Sequence, residues 1–156
     1  MTEPPAKRSV RDAEPTVSLR RRATGATRDW STARGRLRVE SRSRDVLLFE
    51  AVGHLEVDLF GPFRECVETA LASGRPHLFW DGENLTGCDS DFRLRFGTYC
   101  VEVRARVGSM HVYTPYRLAA MGVLLDVWRG GAFQRKRTRG ELWAALEAQM
   151  ARSAEP

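Results

Sequence analysis

The sequence predicts a single α/β domain built on a mostly parallel central sheet. Three observations carry that prediction. The 156 residues provide one hydrophobic core and a short tail. Short apolar runs alternate with amphipathic stretches of helical period, the pattern of strand–helix units that build parallel sheets through right-handed crossovers. Turn formers and helix-start signals fall between these segments.

Taken in order, residues 1–35 are rich in Arg, Ser, Thr, Ala and Pro, with Trp30 the one aromatic side chain. Such a segment buries too little apolar surface to offset ordering and is expected to be a disordered tail. A misassigned translation start, which would make the tail partly artificial, is an equal alternative. Leu37 and Val39 then alternate with Arg36, Arg38 and Glu40, a half-buried strand that pairs as a hairpin with Val46-Leu47-Leu48-Phe49. Pro62 suits a first helical turn, and Phe63, Cys66, Val67, Ala70 and Leu71 share one face of that helix. Pro76 precedes a buried strand, 77–80, and the polar stretch after Trp80 reads as a loop.

Asp89-Ser90-Asp91 opens the next helix, whose stripe is Phe92, Phe96, Tyr99, Cys100 and Val103, with Ser90 as its expected N-cap. Met110 to Thr114 is a strand stopped by Pro115, and 116–128 is a helix apolar on nearly every side. A short strand at 133–137 leads to Thr138-Arg139-Gly140-Glu141, a capping box. The last helix buries Leu142, Leu146, Gln149 and Met150. The order is β-β-α-β-α-β-α-β-α over residues 36–151, with 152–156 as a C-terminal tail.

Composition excludes several classes. Of the net charge of +5, +4 sits in the tail, because residues 1–34 hold eight basic and four acidic side chains and the rest holds seventeen and sixteen. Without aromatic interleaving or a reading helix, nucleic-acid binding is a weak reading. No run approaches the length of a membrane span, and Arg20-Arg21-Arg22 lacks the apolar segment of an export signal. Cys66, Cys88 and Cys100 form no metal or disulfide spacing, and with the missing export signal they point to the cytoplasm. His54, His77 and His111 show no metal-ligand or triad spacing, and no phosphate-binding glycine loop occurs. No enzyme, cofactor or metal is expected.

Beyond the carboxyl ends of parallel strands, where ligands and switches collect, three segments converge: 80–84, 88–91 and 114–117. The element order, with Asp89-Ser90 at the start of the second helix, resembles the STAS domains of the anti-sigma-factor antagonist family; a more distant similarity is to the lipid-carrying CRAL-TRIO group. The resemblance implies a non-enzymatic signalling domain that binds a protein partner, an anti-sigma-type kinase or sigma regulator. It also implies that Ser90 accepts phosphate with Asp89 in support, and Asp91 and Asp81 are further candidate supports of that switch site. Where the family continues Ser-Gly, this chain has Asp91-Phe92, which weakens kinase recognition or supplies a permanent charge.

Leu94 and Val101, with Gly97 and Thr98 between them, fall opposite the buried stripe and form a candidate partner surface for a protein or for a second copy. Packing against the helix at 116–128 accounts for the same pattern equally well. The alternative function is a small-molecule or lipid-binding module, with a pocket among Trp80, Phe96, Tyr113, Tyr116 and Met121 and with Arg117 as its anion contact.

Overall fold

The computed structural model describes residues 20–24, 26–115 and 133–156. Its seven-stranded sheet runs in chain order. The strands are β1 (Arg20–Thr24), β2 (Thr27–Ser31), β3 (Gly35–Ser43), β4 (Val46–Leu55), β5 (His77–Cys88), β6 (Ser109–Tyr113) and β7 (Phe133–Arg135). The pairs β1–β2, β2–β3 and β3–β4 are antiparallel, and β4–β5, β5–β6 and β6–β7 are parallel. Three helices are described: α1 (Phe60–Leu71), α2 (Ser90–Val103) and α3 (Arg139–Ala154). The helix expected at 116–128 lies outside the described residues.

The Val46-Leu47-Leu48-Phe49 run is buried throughout because β4 is covered on both faces, as in a parallel sheet. Leu47, Phe49, Leu78 and Trp80 face α1 and α2, while Val46, Leu48 and Phe79 face α3. On the first face the rings interlock: Phe63 lies 5.1 Å from Phe49, 5.0 Å from Phe96 and 5.3 Å from Trp80, in edge-on or tilted geometry. On the second, Leu142 and Leu146 seat α3, and Thr138 caps it by accepting the Glu141 N–H at 3.1 Å.

Four expectations are corrected here. Residues 1–35 are not a tail throughout, since β1 and β2 extend the sheet and Trp30, paired with Leu37, is 4% exposed in the core. A lone Trp among arginines is buried by a neighbouring strand, which local composition does not register. The segment after Trp80 is not a loop: β5 continues to Cys88 beside β4, with one register shift beside Gly82 and a second between Leu85 and Gly87. The final helix reaches Ala154, so 152–156 is not wholly a tail. Asp89, not Ser90, is the N-cap residue of α2, and Ser90 begins the helix proper.

Candidate functional site at the start of α2

The site forms where β4 and β5 end. Gly53, at φ +74°, places β4 in a conformation that L side chains rarely adopt, and a Cβ there would meet the Arg34 carbonyl at 2.5 Å. This tight crossing of the β2–β3 loop precedes a register shift that brings His54 opposite Gly87. A Cβ on Gly87 would lie 3.2 Å from His54 Nδ1, so the missing side chain leaves room for the imidazole.

The imidazole then reaches α2. His54 Nε2 lies 2.8 Å from Asp89 Oδ1, and the Val57 N–H donates to Asp89 Oδ2 at 3.1 Å. The Asp89 N–H in turn donates to the Leu55 carbonyl at 2.9 Å. The hydrogen bond from His54 holds the Asp89 carboxyl below its ordinary range; partial burial opposes this, while the Val57 N–H and the charges of His54 and Arg34 assist it. Nearby, burial pushes the Cys88 thiol up, Arg93 lowers it less and Asp89 raises it, so Cys88 is poorly suited to thiolate chemistry.

Both carboxylate oxygens of Asp89 therefore point back into the β4 corner, and neither caps α2. The first turn keeps its unpaired N–H groups and the positive end of its dipole. Ser90 is exposed there with no side-chain hydrogen bond among the described residues, and Asp91 is exposed beside it. No bond joins Ser90 to His54, so the three residues do not form a nucleophilic triad.

Ser90, Leu94, Gly97 and Val101 are spaced four, seven and eleven residues from the first, so at about 100° per residue they share one helical face. Leu94 is 70% exposed and Val101 49%. Thr98 is exposed along the same strip and Gly97 is half-buried.

Other expected site residues lie apart. Asp81 is on the α3 face, buried, accepting from Arg139 Nε at 2.8 Å, Trp143 Nε1 at 3.4 Å and the Glu83 N–H at 3.1 Å. It braces α3 rather than Ser90, because alternation along β5 sends residues 79 and 81 to one face and 78 and 80 to the other. The candidate pocket divides in the same way. Trp80 and Phe96 pack ring to ring at 5.0 Å on the α2 face, whereas Tyr113 packs on the α3 side. The gap left among the rings on the α2 face is about 10 Å³, the size of one water molecule. Tyr116, Arg117 and Met121 lie outside the described residues.

Sequence reasoning missed the partnership of His54 with Asp89. Its one local trace is Gly87, side-chain-free opposite a histidine at the end of the neighbouring strand. Among the described residues no cluster of His, Cys, Asp and Glu suited to a metal ion occurs, and no helix is long and apolar enough to cross a membrane.

Comparison with protein families finds none that matches, and no curated protein matches the chain. Solved structures do. The anti-sigma factor antagonist SpoIIAA in its unphosphorylated form superposes with a TM-score of 0.55 at 18% identity, covering 72% of this chain and 96% of that one. An uncharacterized protein of the DUF3478 family from Shewanella loihica, described as having a SpoIIAA-like fold, gives 0.56 at 19% identity, covering 74% and 97%. The fold thus defines a class, the STAS-like α/β domains. Within that class the chain is similar in fold to SpoIIAA, and Asp89-Ser90 of this chain stands at the start of α2.

Proposed function

We propose that this chain is a regulatory domain that binds a protein partner over the exposed face of α2 and is switched by phosphorylation of Ser90. The partner is a serine kinase or sigma-factor regulator of the anti-sigma type. One observation carries the reading: the exposed Ser90 hydroxyl continues, on the same helical face, into the exposed strip of Leu94 and Val101. A partner that buries Leu94 also covers Ser90. Phosphate there adds about −1.5 to −2 charges. The first-turn N–H groups accommodate that charge, while Asp89 and Asp91 oppose it, so the fold persists and the contact surface becomes strongly negative. Regulation by binding also accounts for the geometry of Asp89, which is anchored by His54 and Val57 rather than poised on a nucleophile.

The test is calorimetry with a partner recovered from native lysate by the wild-type chain. Ser90→Asp should weaken binding more than tenfold, about 1.4 kcal/mol. Ser90→Ala should bind as wild type does, because the hydroxyl makes no hydrogen bond among the described residues. Equal affinities for all three proteins would leave a constitutive binder without a switch. Retention of a partner by Leu94→Asp would move the interface off α2.

A further inference from the structure

A groove of about 250 Å³ lies at the opposite end of the sheet, where β4 and β5 begin, lined in part by Arg44, Asp45, Ser73, Gly74, Arg75 and Ser153. It is framed by the β3–β4 turn, the α1–β5 loop and the last turn of α3. Its two lining arginines, Arg44 and Arg75, form no ion pair among the described residues, unlike five others of the domain. Arg36, Arg38, Arg42, Arg106 and Arg139 each face a carboxylate. Arg44 has neither an ion-pair nor a hydrogen-bond partner among the described residues. Arg75 gives one N–H to the Val107 carbonyl at 3.2 Å, and Arg152, next to the lining residue Ser153, donates to Gln149 Oε1 at 2.8 Å.

Asp45, the one carboxylate among the described lining residues, is already engaged. Its two oxygens accept from the Ser43 and Ser153 hydroxyls at 3.0 Å each. The Ser73 hydroxyl makes no hydrogen bond among the described residues. The groove is thus lined by two guanidinium groups and a hydroxyl with donors to spare against a single carboxylate, a net positive charge. Guanidinium forks with spare N–H groups match oxyanions that offer several acceptor oxygens. Its volume falls below the roughly 300–1,000 Å³ of pockets for drug-sized ligands, which suits a small molecule with one anionic group.

We propose that this groove binds the phosphate monoester of a small metabolite, held by the Arg44 and Arg75 guanidinium groups and the Ser73 hydroxyl. The assignment is independent of the α2 surface, because the two sites occupy opposite ends of β4 and β5.

The test is an NMR titration of the ¹⁵N-labelled full chain with glycerol 3-phosphate, at ionic strength held constant with chloride. Saturating shifts are expected at the amides of Ser73, Gly74, Arg75 and Ser153, with half-saturation on the order of 1 mM, as expected for a few exposed charge-assisted contacts. Arg44→Gln and Arg75→Gln should each weaken binding at least threefold, and together abolish saturation, with melts like that of wild type. Arg95→Gln, on α2, should change nothing. Unsaturated shifts spread over all exposed arginines would overturn the proposal. So would sedimentation with phosphatidic acid vesicles that depends on Arg44 and Arg75 without any response to glycerol 3-phosphate, because the phosphate would then belong to a lipid headgroup.

Discussion

On one face of the sheet, α1 and α2 close over Phe49, Leu78 and Trp80 with a stack of aromatic rings. On the other, α3 covers Val46, Leu48 and Phe79 and shares the space with Asp81, His111 and Gln149. The first cluster contains 23 buried residues and the second five, so the α1/α2 face supplies most of the apolar burial among the described residues. The α3 face depends instead on polar contacts that must be satisfied to be tolerated. Besides the Asp81 network, the Ser109 hydroxyl bridges His77 Nδ1 at 2.8 Å and His111 Nε2 at 2.9 Å, and His111 stacks on Phe79 with ring centroids 4.4 Å apart. The difference teaches that one face is held chiefly by packed apolar volume and is intolerant of its loss, while the other carries buried polar and titratable groups and is sensitive to charge.

Phe63→Ala should show the largest effect, about 3–5 kcal/mol lost in chemical denaturation, since Phe63 is 2% exposed and touches rings on β4, β5, α1 and α2. A loss under about 1 kcal/mol would end the claim that this face dominates. Asp81→Ala should cost less, about 2 kcal/mol, because Arg139, whose side chain is 47% exposed, can turn to water once its partner is gone. A cost as large as that of Phe63→Ala would make the polar face the stronger one.

Acid provides the third test. Burial pushes His111 down to about 4, with smaller contributions from Lys136, His77 and Arg152, and burial also lowers His77 against the opposing charge of Asp45. Both groups bind protons more readily in the unfolded chain, so their contribution is complete above about pH 6.5 and is lost as pH falls toward 4. The midpoint of thermal unfolding should therefore drop across that window, and His111→Phe should flatten the slope. An unchanged slope in that variant would clear His111 of the acid sensitivity. Smallest of all, Leu94→Asp should shift stability by no more than about 0.5 kcal/mol, as befits a side chain 70% exposed. Unfolding of that variant would mean that the strip is covered.

Segments whose signal is local were readable in the chain. Leu37 and Val39 alternate, Phe63, Cys66 and Val67 recur at helical spacing, and Thr138 with Glu141 announces α3. What escaped depends on contacts distant in sequence. Trp30 is buried by Leu37 across a strand pair, and residues 81–88 look like a turn because Gly82, Asn84 and Gly87 suit turns as well as bulged strands. At the site, Ser90, Leu94 and Val101 follow from helical spacing alone. The role of Asp89 does not, because its partner His54 lies 35 residues upstream and reaches it only after β4 bends at Gly53. Asp81 was misplaced because a loop has no alternating faces and a strand has.

The match between strand order and chain order, β1 through β7 without exchange, has a consequence for synthesis. Each strand finds its partner in the segment translated just before it, so a nascent chain leaving the ribosome can add strands in sequence without waiting for a distant one. The two antiparallel turns that join β2, β3 and β4 close short loops first, at little entropic cost. The parallel strands must then await their crossovers, which makes the open edge of β4, before β5 arrives, the stage most exposed to misassociation during translation.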